Sequence, residues 1–142
     1  MLAASLMASA DNGHAIHPNH PEKADKTNRP VMNGGVVIKY SANQKYTTDA
    51  VSAGLFKAIC AGAGVPVQTF INRSDVLGGS TLGNISGSHV ALNTVDIGLA
   101  QLAMHSPYET GGNRDTLHLL NAIKALYAAQ LRCTADGDYE VN

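Results

Sequence analysis

Residues 36–72, "VVIKYSANQKYTTDAVSAGLFKAICAGAGVPVQTFIN", decide the class of this chain. "VVIKY" (36–40) and "VQTFIN" (67–72) are short β-branched and aromatic runs, the composition of strands. Between them Val51, Leu55 and Ile59 recur near the helical repeat. Thr47 or Thr48 can cap the start of that helix, and Gly62 or Gly64 can stop it. The stretch therefore predicts strand, helix, strand, with the helix over about 48–62.

The same alternation continues outward. "GGSTLG" (78–83) reads as a glycine loop opening a short helix, and "VALNTVDIGLA" holds a strand around 92–98. A last helix is predicted over about 115–130, capped by Asp115, with Leu119, Ile123, Leu126 and Tyr127 on one face. Upstream, residues 2–8 read as a helix end. A short strand around 9–17 follows, then a turn, and residues 19–34 read as loop. From Thr134 the chain reads as a polar tail that frays. The class is α/β, a mixed sheet flanked by helices, with residues 1–133 as one part of a domain and 134–142 as the tail.

Composition narrows the function. The chain has 142 residues, 44% hydrophobic and 15% charged, with a formal net charge of -1. That is a globular composition and not a disordered one. There is no basic run to bind nucleic acid or an anionic membrane, and no apolar run that spans a bilayer. The opening "MLAASLMASA" imitates a signal peptide, but no Lys or Arg precedes its apolar stretch. Cys60 and Cys133 form no spaced motif and read as thiols of a reducing compartment. A cytoplasmic location is expected.

The chemistry concentrates in "SADNGHAIHPNHPEK" (9–23), where Asp11, His14, His17 and His20 follow at steps of three. Carboxylate oxygen and imidazole nitrogen are zinc donors, which converge in threes or fours. On a helix these residues would converge, but Gly13 and Pro18 oppose a helix. On a strand Asp11 and His17 share a face and His14 points away. Locally, a metal role for one of them and a solvated His-rich turn both stand. His105 follows a strand end, where α/β folds place active-site groups. Lys39, on an otherwise apolar strand, reads as the solvent-facing position of an edge strand. "GGSTLG" lacks the Lys of a phosphate loop; its glycines serve either close backbone approach or a tight turn.

Four stretches, "SADNGHAIHPNHPEK", "NRPVMNGGVVIKYSANQKYTT", "NRSDVLGGSTLG" and "VDIGLAQLAMHSPYE", together resemble the aspartyl aminopeptidase / aminopeptidase I family of zinc exopeptidases. The resemblance runs to about Tyr127 and is nearest in character to bacterial members. It implies part of a zinc-exopeptidase fold (phosphorylase/hydrolase-like) and a two-zinc site with dispersed ligands, manganese or cobalt being alternative metals. By the same resemblance Asp11 binds one zinc and His105 the other. His14 lines the site, Lys39 helps receive an acidic side chain, and Gly78 and Gly79 approach the substrate backbone. His17 then holds the loop, and His20 is exposed.

The resemblance also implies what this chain does not carry. The family's remaining ligands, a histidine, a bridging aspartate and a glutamate, precede this region, as does the general-base glutamate. The chain corresponds to the last third of a full-length enzyme. Its expected partners are a peptide substrate, the missing N-terminal part of the same enzyme and, when complete, further copies in a homo-oligomer. The other reading is a non-catalytic α/β remnant or partner-binding module. Three structural expectations follow. Asp11, His14 and His105 should cluster, the sheet should keep an unpaired edge or apolar patch, and the chain alone should not turn over substrate.

Overall fold

The computed structural model describes residues 2–134 and 138–142. Its element order is β1 (Leu6–Ala10), β2 (Gly13–His14), β3 (Val36–Tyr40), α1 (Ala50–Gly62), β4 (Val67–Ile71), α2 (Leu82–His89), β5 (Asn93–Gly98), β6 (Ala100–Leu102), β7 (Thr110–Gly111), α3 (Asp115–Ala128), β8 (Leu131–Cys133) and β9 (Tyr139–Val141). The main sheet has the order β1-β5-β3-β4. β1 and β5 pair parallel, as do β3 and β4, while β3 and β5 pair antiparallel. The expected α/β class with a mixed sheet is what the chain forms. No described helix is long and apolar enough to cross a membrane.

β3 explains why this sheet exists. Its side chains alternate between faces, and both faces are buried. Val36 and Ile38 join Phe56 and Cys60 of α1, Val95 and Ile97 of β5, and Ala122 of α3. Val37 belongs to a second cluster with Ala15, Tyr46, Phe70 and Ala100. Burying a side chain such as Phe56 stabilises by about 1.5–3 kcal/mol. Burial also raises the Cys60 thiol to about 11, so it stays protonated.

Several local expectations change. Residues 6–10 are strand, not helix end, because pairing with β5 overrides the helical preference of Leu, Met and Ala. The α1 cap is Asp49, in a capping box with Ser52; Thr47 and Thr48 turn their hydroxyls to Asp96 instead. Val51 faces outward at 44% exposure, and the buried stripe runs through Ala53, Leu55, Phe56, Ile59 and Cys60. On α3, Leu119 and Ile123 pack on the core but Tyr127 is 85% exposed. The tail is not wholly frayed: β9 pairs antiparallel with β8. Residues 135–137 of that tail lie outside the described residues.

Asp115 does not cap α3; Arg114 occupies the cap position. The Asp115 carboxylate is fully buried and accepts the N–H groups of Asn33 (2.6 Å) and Gly35 (3.0 Å). It thus pins the turn that launches β3, 80 to 82 positions earlier. Gly35 holds a φ of 104°, which only glycine adopts without strain.

Lys39 is not at an edge. β3 is interior, and Lys39 is 1% exposed on the Val37 face. Its Nζ donates to the Asp11 carbonyl at 2.7 Å and lies 3.6 Å from Asp11 Oδ2. It also sits 5.0 Å from the Tyr46 ring centroid. Desolvation lowers its pKa, and the charges of Asp11 and Asp96 oppose that shift.

Two predictions follow from these buried charges. Asp115→Ala strands two amide donors, one in the interior and one at its margin, and should destabilise by about 2–4 kcal/mol in urea unfolding. A loss under about 0.5 kcal/mol would mean the turn does not depend on the carboxylate. For Lys39, the folded pKa lies below the unfolded value of about 10.4. Between the two the unfolded chain binds more protons, so stability rises with pH there. Urea midpoints measured from pH 8 to 10.5 should show a positive slope for the wild type beyond that of Lys39→Met; equal slopes would contradict it.

Candidate metal centre

The backbone brings Asp11, His14 and His105 to one place by a shared bend. β1 runs beside β5, and past their ends β2 runs parallel beside β6. Asp11 N–H donates to the Ile97 carbonyl at 2.9 Å, and Gly13 N–H to the Leu99 carbonyl at 2.9 Å. Asn12 Oδ1 accepts the Leu99 N–H at 3.1 Å. A Cβ on Gly98 would overlap the Asp11 carbonyl, so glycine there is what allows the two chains to cross so closely. Asp11 thus leaves the end of β1, and His14 pairs in register with Gln101 on β6. The chain then turns through Ala103 and His105, both in left-handed conformation. His105 has a φ of 67°, and its N–H is tied to Glu109 Oε1 at 2.6 Å.

Asp11, His14 and His105 line one cleft of about 670 Å³, with Gly78 and Gly79 on the same surface. All three side chains are exposed. Two carboxylate oxygens and two imidazoles facing one cleft are the donor types zinc takes. The number falls short, however. Among the described residues no three His, Cys, Asp or Glu groups stand close enough to hold a metal, and zinc sites use at least three protein donors. The residues therefore fit as part of a metal site, and a complete one needs donors beyond those gathered among the described residues.

The rest of the histidine run is held locally. His17 Nδ1 accepts the Asn19 N–H at 3.2 Å, and His20 Nδ1 lies 3.1 Å from Glu22 Oε1. Their rings lean on each other with centroids 5.2 Å apart. His17 and His20 thus line the same cleft as Asp11 and His14, but the spacing of three brings no three of them close enough to hold a metal, because Pro18 and the turn behind it break any regular repeat.

The glycine loop is shaped from within. Lys45 Nζ donates to the Gly78 carbonyl at 2.7 Å. A Cβ on Gly83 would press on both Asp96 carboxylate oxygens and on Ser9. Gly79 has open space where its Cβ would be.

Asp96 was not singled out by its sequence. It is fully buried, and its carboxylate accepts from Thr47 N–H (2.6 Å), Thr47 Oγ1 (2.8 Å) and Thr81 Oγ1 (2.5 Å). The available signal was an aspartate inside an otherwise apolar strand run, "TVDIG". Such a residue needs partners, and none is visible in the linear chain.

The family model "Aminopeptidase I zinc metalloprotease (M18)" matches residues 1–127. The chain is 49% identical over 125 residues to a probable M18 family aminopeptidase 2 of Pseudomonas savastanoi pv. phaseolicola, covering 88% of this chain and 29% of that protein. Among solved structures, a chain of the Ape4 and Nbr1 complex superposes with a TM-score of 0.87 at 36% identity, over 89% of this chain and 24% of that one. The S. cerevisiae mApe1 dodecamer gives a TM-score of 0.79 at 30% identity, over 89% and 27%. The chain thus spans under a third of the length of these relatives. With a family match over residues 1–127, carried on the mixed sheet and the cleft it supports, the chain belongs to the M18 family of aminopeptidase I zinc metalloproteases.

Proposed function

We propose that these residues are the C-terminal part of a two-zinc aminopeptidase catalytic domain, giving one donor to each metal. The observation that carries this is the cleft shared by Asp11 and His14 with His105, which lies more than 90 positions further along the chain and is brought there by one bend of the sheet. Asp11 would hold one ion through its carboxylate and His105 the other through its ring. When bound, the pair supplies Lewis-acid polarisation of the scissile carbonyl and a lowered pKa for the attacking water. His14 would hydrogen-bond the reacting carbonyl or the bound peptide. The open face of Gly79 and the neighbouring Gly78 would let substrate backbone approach. Lys39 lies behind Asp11, fixes its carbonyl, and adds positive charge that favours an acidic side chain at the cleft.

The substrate class proposed is a peptide with a free N-terminal residue, acidic residues among the candidates. Zinc is the proposed metal, with manganese or cobalt able to replace it. The completed enzyme is proposed to be cytoplasmic and homo-oligomeric; the dodecameric mApe1 structure supports assembly. The general base and the remaining donors would come from the part of the family polypeptide that precedes this region.

The test is complementation. The chain alone, assayed with acidic and neutral aminoacyl reporters and each metal, should turn over at least about a hundredfold slower than the complemented enzyme, the low end for a missing base. Adding the rest of an M18 polypeptide should restore metal-dependent activity. In that complex His105→Ala should abolish turnover and His20→Ala should leave it within about twofold, since the His20 ring lines the cleft but is exposed and engaged by Glu22. Robust turnover by the chain alone would refute the donor count, and equal effects of the two variants would refute the residue roles.

A further inference from the structure

His105 lies in the loop that joins β6 to β7. The two strands pair antiparallel, with Gln101 opposite Gly111 and Leu102 opposite Thr110. Between them the backbone takes an unusual path. Ala103 has a φ of 53° and His105 a φ of 67°. Neither is glycine, and the left-handed region crowds Cβ against the following carbonyl. Two such residues within three positions persist only where their surroundings hold them. Glu109 supplies a hold. Its Oε1 accepts the His105 N–H at 2.6 Å. The loop folds back to make this bond through two further contacts. Ser106 N–H donates to the Ala103 carbonyl at 3.1 Å, and Tyr108 N–H to Ser106 Oγ at 3.1 Å. A carboxylate acceptor makes a hydrogen bond roughly twice as strong as a neutral one. Glu109 acts from behind the site: Ala103, Met104 and His105 line the cleft, and Glu109 does not.

We propose that Glu109 is a positioning residue, which keeps the His105 backbone left-handed so that the ring is presented to the cleft as a metal donor. The inference rests on the two-metal reading above and adds a residue to it. The direction of a Cα–Cβ bond depends on φ. Returning His105 from 67° to the ordinary negative range rotates Cβ about the N–Cα bond by roughly 120° or more. The imidazole would then leave from another side of the loop. A metal donor works only when its orientation is fixed, and the groups that fix it matter nearly as much as the donor. Without the Glu109 bond, the loop would have to be ordered at the moment of metal binding, and that ordering lowers affinity. A glutamate that only solvates the loop predicts the opposite. Its loss would change neither the His105 backbone nor the affinity.

The first test uses the full chain alone, by NMR. The nuclear Overhauser effect between the amide and α protons of His105 is strongest at positive φ. It should be strong in the unaltered chain and weaken in Glu109→Ala. The His105 amide should exchange at least about tenfold faster in that variant, while the Val37 and Ile38 amides of β3 exchange as before. Glu109→Gln keeps an oxygen acceptor and should stay within about threefold of the unaltered rate. The second test complements the chain with the rest of an M18 polypeptide and measures zinc affinity by competition with a chelator. Glu109→Ala should bind zinc at least about tenfold more weakly, and Glu109→Gln within about threefold of the unaltered complex. The proposal fails if the His105 amide of the unaltered chain is unprotected, or if Glu109→Ala keeps its φ and protection. It also fails if a folded Glu109→Ala complex holds zinc normally, or if Glu109→Gln loses as much as Glu109→Ala. If Glu109→Ala does not fold, the unaltered chain and Glu109→Gln decide. If no complex binds zinc, the unaltered one included, while the loop responds as expected, the two-metal reading is refuted and the restraint on His105 stands.

Discussion

The Asp96 carboxylate holds the parts of this structure that the sheet alone would not. It is buried, and three hydrogen bonds from Thr47 and Thr81 replace the water it has lost. Its own N–H donates to Thr48 Oγ1 at 2.8 Å. One residue of β5 thereby fixes the segment entering α1 and the end of the glycine loop. A buried charge is costly unless hydrogen-bonded, so this network works only as a set. Gly83 belongs to it, because any side chain there would displace the carboxylate. Lys39 contributes from the same side of the sheet, where Asp96 helps to keep it charged.

The site is a consequence of where two adjacent strands stop being regular. β1 and β5 end together, cross closely at Gly98, and resume as β2 and β6 in a second sheet. The gap is where Asp11 emerges, with its carbonyl bound by Lys39 from below. Its carboxylate stays exposed, which leaves it open to a ligand. His105 reaches the same cleft through a turn held by Glu109. Rigid elements thus supply the position, and short irregular stretches carry the candidate donors.

Family membership and donor count describe one state of affairs. The chain matches the M18 model over residues 1–127 and spans under a third of its relatives. Asp11, His14 and His105 line a cleft, yet among the described residues no three metal-binding groups stand close enough to close a metal site. The unprotected edge of β1 ends beside those donors.

The α/β class, the β3–α1–β4 unit and the positions of α2 and α3 were legible in the sequence, because periodicity and turn residues are local signals. The family was legible as well, since its motifs are contiguous words. The roles of Lys39, Asp96 and Asp115 were not. Lys39 looked like a surface residue and Asp115 like a cap, Asp96 drew no reading, and each is buried by segments distant in sequence. β1 was misread for the same reason: Leu, Met and Ala favour helix in isolation, and pairing with β5 outweighs that preference. The sequence by itself determined the α/β alternation from β3 to α3 and which donor types are present. Only the tertiary structure decided which strand is interior, which carboxylates are buried, and that Asp11, His14 and His105 share a cleft. Those properties depend on contacts between residues far apart in the chain, and no local pattern encodes them.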